Sequence, residues 1–331
     1  MDRIEQCILT YRDWCKKLGI QTTSDINRII EKGDVNWLIN VSEIWQEQNI
    51  SEIAKSIKDQ VGKKKVILIS GPSSSGKTTF ATKLKLHLRV LGIKGVTISL
   101  DDYYIRHKDM PLNREGKPDF EAVESINYKL FNQNLIDLTQ GREAVLPIYD
   151  FKTSTPIENG KTLTLERDQV IIVEGIHGLN PLLTQNIPCE NMYKVYCSAL
   201  TALKNDDGSK IRSRTTRLMR RLIRDYYFRN SDYKYTFELW PHVEEGAQKN
   251  IFPYTDTADI VFNSSLLYEF GLYNRHLTTV LADATPDDKN IESINELLGI
   301  VQSVCEIDPA LVPGTSLARE FIGGSTLNSS N

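Results

Sequence analysis

The sequence predicts an α/β fold: a doubly wound parallel sheet flanked by helices. Three observations carry that expectation. Runs that are apolar on both faces, Val66-Ile67-Leu68-Ile69 and Val170-Ile171-Ile172-Val173 among them, alternate with amphipathic helical patterns, as buried parallel strands do. A glycine- and serine-rich loop joins the first run to the first such helix. Acidic residues close two of the runs, and an open parallel sheet binds its ligands beyond the carboxyl ends of its strands.

The elements follow in order. Residues 1–60 read as short helices, an N-terminal helical appendage. From 24 to 57 the apolar positions recur at helical spacing, Gly33 breaks the pattern, and Ser51 with Glu52 is placed to cap the last helix. The Lys63-Lys64-Lys65 run marks a boundary, and 66–70 is the first buried strand. A helix is expected from Lys77 to Leu91, with Phe80, Leu84, Leu88 and Leu91 on one face and Gly92 closing it. A strand follows over 96–100, then a helix over about 125–139 that ends at Gly141. Residues 144–165 read as two extended runs around Pro156 and Gly160. Further strands are expected over 170–173, 192–198 and 259–262. The Ser- and Asn-rich tail after Gly323, above all 326–331, is expected to fray.

The bulk composition agrees. The chain has 331 residues, 40% hydrophobic and 25% charged. That is long enough to bury a core without disulfides, and it excludes wholesale disorder and collagen-like structure. Lys+Arg 40 against Asp+Glu 43 leave a net charge of -3, so a general coat for polyanions is not expected. The 5 cysteines form no C-x-x-C pair and read as reduced thiols. There is no long apolar span and no secretory leader, so a cytoplasmic location without a membrane partner is expected.

Gly71-Pro72-Ser73-Ser74-Ser75-Gly76-Lys77-Thr78 fits G-x-x-x-x-G-K-[ST] at every fixed position, between a buried strand and an amphipathic helix. Gly71 and Gly76 permit the backbone angles that turn N–H groups toward phosphate oxygens. The following helix turns its positive end to the same anion. Lys77 is placed for the β/γ-phosphates, and the Thr78 hydroxyl for Mg²⁺. The chain is thus expected to be a P-loop NTPase. There is no N-K-x-D base-reading motif of GTPases, so ATP is the expected nucleotide.

Asp101 and Asp102 directly follow the strand that ends at Leu100. A carboxylate there takes a proton from an attacking hydroxyl or holds Mg²⁺ water, provided that strand lies beside the loop. Glu174 ends an apolar strand in the position of a magnesium-associated acid. His177 nearby reads as structural. From Lys204 to Arg229 nine basic and three acidic residues give +6. At 100° per residue, Leu218, Met219, Leu222, Ile223 and Tyr226 form one stripe, with Arg217, Arg220, Arg221 and Arg224 opposite it. The expectation is a lid over about 204–250, one face packing and the other presenting guanidiniums to phosphate oxygens. Gly208 and Ser209 are candidate hinge residues. A solvated charged face and a nucleic-acid surface are the competing readings of the same helix.

Together, residues 71–79, 99–104, 146–151, 173–178 and 216–221 resemble the uridine kinase and phosphoribulokinase family of P-loop kinases. The likeness covers roughly 60–280, and the closing stretch 313–325, with Arg319-Glu320-Phe321-Ile322-Gly323-Gly324-Ser325, is similar to a bacterial-type nucleoside kinase branch. In that branch a domain related to the N-terminal part of threonyl-tRNA synthetase often precedes the kinase. That domain is not expected here, where about 60 residues precede the loop. The resemblance implies a kinase domain over 61–325 that uses ATP and Mg²⁺. It implies Asp101 as the catalytic base, with Lys77, Arg217, Arg220 and Arg221 assisting transfer. It implies Ser73, Ser74, Ser75 and Thr79 with the loop glycines around the nucleotide, and Thr78 and Glu174 at the metal. It implies a nucleoside held by Asp102, Tyr104, Phe120, Glu121, Tyr149 and Arg217, and Lys152 is placed for an acceptor phosphate. Two positions depart from the family's pattern. Glu121 stands where uridine kinases carry Asp, and Lys152-Thr153-Ser154 stands where they place a base-reading His. The expected activity is transfer to the 5′-hydroxyl of a nucleoside. A phosphoribulokinase-like sugar kinase and an ATP-switched RNA-binding protein are the alternatives. The expected partner is the small-molecule nucleoside, without nucleic acid, and a homo-oligomer is compatible with the sequence.

Overall fold

The computed structural model describes residues 2–60, 64–166 and 168–327. In chain order the elements are α1 (Arg3–Lys17), α2 (Thr23–Glu31), α3 (Val35–Lys58), β1 (Val66–Ser70), α4 (Lys77–Val90), β2 (Lys94–Ser99), α5 (Tyr128–Thr139), β3 (Ala144–Asp150), β4 (Thr155–Leu163), β5 (Gln169–Glu174), β6 (Met192–Ser198), α6 (Ser213–Phe228), α7 (Tyr233–Asn250), β7 (Ile260–Asn263), α8 (Glu269–Val280), α9 (Ile291–Gln302) and the single turn α10 (Arg319–Ile322).

Five strands form one sheet in the order β2-β5-β1-β6-β7, and every pairing is parallel. Side chains alternate across a strand, so β1 feeds two cores. Ile67 and Ile69 pack with Phe80, Leu84 and Leu88 of α4 and Ile53 and Ile57 of α3. Val66 and Leu68 pack with Phe131, Leu135 and Leu138 of α5 on the other side. This double burial is why β1 and β5 read as continuous apolar runs. The expected extended pair is an antiparallel hairpin, β3 with β4, outside the main sheet.

A third core joins Tyr11, Ile26, Leu38 and Ile39 of the N-terminal helices to Leu218, Met219, Leu222 and Ile223 of α6 and to α7, α8 and α9. The loop before α6 is tied to α2: Asp206 accepts from the Thr23 hydroxyl at 3.0 Å and from the Ser24 N–H at 2.9 Å.

Local expectations change in three places. Ser51 and Glu52 cap nothing, because α3 runs unbroken through them with buried Ile50, Ile53 and Ile57 on its inner face. The helix expected from about 125 begins at Tyr128, where Asn127 Oδ1 accepts the Leu130 N–H, an N-cap that ends the preceding turn. The chain after Gly323 is held at least to Thr326, whose N–H donates to the Gly314 carbonyl at 2.8 Å; residues 328–331 of the expected fray lie outside the described residues. Lys63 of the boundary run also lies outside them, and Lys64 pairs with Asp259 at 3.3 Å.

Candidate active site

The loop between β1 and α4 is shaped by close approach as much as by torsion. Gly76 has φ +85°, the left-handed region that favours glycine. Gly71 does not lie in that region. A Cβ there would stand 2.0 Å from the Cys197 carbonyl oxygen of β6, so contact with the neighbouring strand is what demands glycine. Ser74 takes φ 61°, a strained angle for a side-chain-bearing residue. Lys77 is buried and donates to the Pro72 carbonyl at 3.2 Å. The Ser75 hydroxyl is buried without a protein partner.

The acids assemble across three strands. β2 pairs with β5 and not with β1, so β5 lies between the first strand and Asp101. The carboxylate still reaches the loop's field, because Asp101 lies in the turn directly after β2. Its side chain is open to solvent yet ringed by protein. That surrounding mass raises its pKa above the ordinary value, against the pull of Lys77, Arg229 and Arg224. Glu174 sits at the tip of β5. It accepts from Thr78 Oγ1 at 3.3 Å and from Ser99 Oγ at 2.8 Å. Burial, and then the charge of Asp101, push its carboxyl up to about 7.

Among the described residues no three His, Cys, Asp or Glu side chains cluster as metal ligands. A Thr hydroxyl beside one carboxylate of raised pKa is nonetheless the donor set that Mg²⁺ uses when phosphate oxygens and water complete its shell. The residues fit the ion.

That raised pKa makes a stability prediction. Between the ordinary carboxyl range and about 7, native Glu174 keeps a proton that the unfolded chain has lost, so this group's contribution falls as pH rises through that window. Glu174→Gln removes the titration. In metal-free buffer the variant's thermal midpoint is expected to match wild type at pH 5 and to exceed it at pH 8. The gain should be about 1–3 kcal/mol, or roughly 1–4 °C in a chain this long. Thermal melts of both proteins at the two pH values check it, and a gap that does not widen with pH contradicts the assignment.

The arginine helix departs from expectation. Arg217, Arg220 and Arg221 are all buried, because α6 is packed on both sides and the guanidinium face turns inward. The apolar stripe is mostly as expected, though Tyr226 is exposed. Arg217 pairs with Glu244 of α7 and lies over the Trp240 ring at 5.3 Å. Arg220 is enclosed by Glu269, 2.8 Å away, and by Ser264, and its guanidinium lies over the Phe321 ring at 5.0 Å. It is not brought to the loop. Arg221 is: its Nη1 donates to Ser73 Oγ at 3.0 Å, while Asp225 steadies its Nε at 3.1 Å. Arg224 joins it, donating to Ser74 Oγ at 3.2 Å. Helical periodicity puts four arginines on one face; it does not tell which two reach forward. Arg229, felt by Asp101, and Glu320, which accepts from Thr79, are site residues the sequence reading missed. The family-like stretch containing Glu320 was the only available signal.

Tyr104 stands in an aromatic wall. It meets Phe120, Tyr149 and Phe151 edge-on at 5.4, 5.6 and 6.3 Å, and its hydroxyl donates to the Phe120 carbonyl at 3.0 Å. His107 adds a ring 5.7 Å from Phe120. Glu121 is wedged against α7. A Cβ on Gly246 would fall 2.3 Å from its own, and Asn250 donates to its carbonyl at 2.7 Å. Glu121 Oε2 is buried without a hydrogen-bond partner. Burial pushes its carboxyl up to about 7, against the opposing charges of Arg221 and Lys77. Asp102 turns the other way and accepts the Tyr149 N–H at 3.4 Å. Lys152 is exposed at the turn of the β3–β4 hairpin. His177 is buried, and that burial, with Lys77, lowers its pKa to about 4. It is neutral, in keeping with a structural role.

A loop that cradles phosphates, with cations converging on it and a carboxylate facing it, defines the class: a P-loop phosphotransferase. Residues 66–186 match the family described as "Phosphoribulokinase / Uridine kinase family". A uridine kinase of Ureaplasma urealyticum serovar 10 is 26% identical over 175 residues, covering 53% of this chain and 75% of that one. A uridine kinase of Macrococcus caseolyticus is 34% identical over 122 residues, 36% of this chain and 56% of its own. An inorganic pyrophosphatase, TTM2 of Arabidopsis thaliana, is 32% identical over 115 residues, 35% of this chain and 15% of its own. Over these residues the chain is thus similar to the phosphoribulokinase and uridine kinase family. No helix among the described residues is long and apolar enough to cross a membrane.

Proposed function

We propose that this chain transfers the γ-phosphoryl group of ATP to the 5′-hydroxyl of a nucleoside of the uridine or cytidine kind. The observation that carries the acceptor is the pairing of an aromatic wall with a buried carboxylate whose Oε2 lacks a partner. Tyr104, Phe120 and Tyr149 offer ring faces and edges to a base. Glu121 Oε2 is free to accept from a ribose hydroxyl. A sugar phosphate needs no aromatic wall and does need a buried cation at its far end.

In this reading Asp101 takes the proton of the attacking hydroxyl. Lys77, Arg221 and Arg224 hold the charge that spreads over the moving phosphoryl group. Thr78 and Glu174 would hold Mg²⁺, which neutralises the β- and γ-oxygens when bound. Arg217 orders Glu244 and Trp240 at the back of the acceptor site. Base choice is looser than in a dedicated uridine kinase, because no His stands at the base-reading position, and a missing directional hydrogen bond removes discrimination before it removes binding.

The test is ADP formation from ATP and Mg²⁺ across a panel of nucleosides, sugar phosphates and RNA. Uridine or cytidine is expected to give turnover, with the phosphate on the 5′ oxygen. Tyr149→Ala is expected to raise KM for the nucleoside by about 10-fold or more, with KM for ATP nearly unchanged. Turnover with ribulose 5-phosphate and none with nucleosides makes the chain a sugar-phosphate kinase instead. RNA binding without turnover moves it to the regulatory class.

A further inference from the structure

The nucleotide loop already carries an anion from its own chain. Thr79 is the third residue of α4, so its N–H is one of the four donors that a helix start leaves free. Both of its donors are taken by one oxygen of Glu320: the N–H at 3.2 Å and the hydroxyl at 2.7 Å. The same carboxylate stands 3.6 Å from Arg224, the arginine that reaches Ser74. Lys77 and Thr78 serve the β/γ end of a bound triphosphate and its metal, so Thr79, next along the helix, faces the phosphate nearer the nucleoside. The carboxylate and that phosphate need the same two donors.

The segment that carries Glu320 is seated independently of this contact. Phe321 is fully buried. Arg319 donates to the Pro309 and Val312 carbonyls at 2.8 and 2.6 Å. The Thr315 carbonyl accepts from Lys83 at 3.0 Å, Ser316 Oγ lies 2.8 Å from the Tyr268 hydroxyl, and the Leu317 side chain lies over Gly76. Glu320 is therefore a side chain that can swing while its backbone stays anchored.

We propose that Glu320 is a built-in competitor for the nucleotide. Its carboxylate closes the Thr79 donors in the empty protein, ATP entry displaces it, and the displacement frees Arg224 to turn to the phosphates. This rests on the ATP reading above. Without the carboxylate, the triphosphate meets one negative charge fewer at contact distance and finds Thr79 unoccupied.

Calorimetric titration with ATP and Mg²⁺ tests it on the full chain. Glu320→Gln keeps the shape and loses the charge, and its Kd for ATP is expected to be about 5- to 10-fold lower than wild type. A support that merely props the loop predicts the opposite sign, so unchanged or weaker binding overturns the proposal. A second variant keeps the proposal falsifiable. Glu320→Ala removes the carboxylate outright and leaves both Thr79 donors open. Its Kd for ATP is expected to be at least as low as that of Glu320→Gln, and weaker or unchanged binding in both variants overturns the proposal. A wild type that binds no ATP sinks the phosphate-loop reading and this one with it. Tight wild-type binding without the Glu320 effect sinks this one alone.

Discussion

Asp101→Asn is expected to lower turnover by about 10²–10⁴-fold while ATP binding changes little. The substitution keeps the shape and the turn after β2, where the Asp101 N–H donates to Ser99 Oγ at 3.3 Å. On the proposed reading it removes the group that takes the proton of an incoming hydroxyl. Asp101 and Asp102 are adjacent in sequence and their roles diverge through their surroundings. Asp102 is engaged by the backbone of the acceptor hairpin. Asp101 is open to solvent, among the charges of Lys77, Arg224 and Arg229. Its raised pKa brings it nearer to that of a working base. Steady-state kinetics on both Asn variants decide the matter. A larger loss in Asp102→Asn than in Asp101→Asn reverses the assignment.

Lys77→Ala is expected to cost on the order of 10²-fold or more in rate. The ammonium is buried and donates to the loop's own Pro72 carbonyl, so it is ordered before any phosphate arrives. Its loss removes the central cation and leaves Arg221 and Arg224 to hold the transferring group from one side. The same charge moderates Asp101, Glu174 and Glu121, whose pKa values it lowers against burial. A second sign of its loss is thus a pH–rate profile displaced upward. Rates of transfer and of ATP hydrolysis near wild type contradict the phosphate-loop assignment.

Much of the fold was legible because its signals are local. A strand buried on both faces must be apolar throughout, and β1 and β5 appear where such runs occur. The phosphate loop is legible for the same reason: its residues are contiguous and its chemistry fixes their types. The site's other half was legible only as candidates. That Arg221 reaches Ser73 while Arg220 is locked to Glu269 depends on α8, about fifty residues on. The inward turn of the arginine face depends on apolar partners in α1, α2 and α3, which no periodicity within α6 reveals. Glu320 was invisible as a site residue because its partner, Thr79, lies 241 positions earlier. Gly71 was assigned for the wrong physical reason, since only the neighbouring strand shows that a Cβ has no room there.

The distance between Thr79 and Glu320 has a consequence during synthesis. At about 5–20 residues per second, the helix that begins at Lys77 leaves the ribosome roughly ten to fifty seconds before the segment that finally covers it. Strand β1 waits as well, since its neighbours β5 and β6 begin at Gln169 and Met192. For that interval Val66-Ile67-Leu68-Ile69 has both edges unpaired and both faces without a sheet, a state that invites pairing with another nascent chain. The helices of residues 3–58 are made before it, and α3 can shield one face of β1 through Ile53 and Ile57 as soon as the strand emerges. In this order of events the N-terminal helices act as the chain's own escort, guarding its most adhesive segment until the sheet can close.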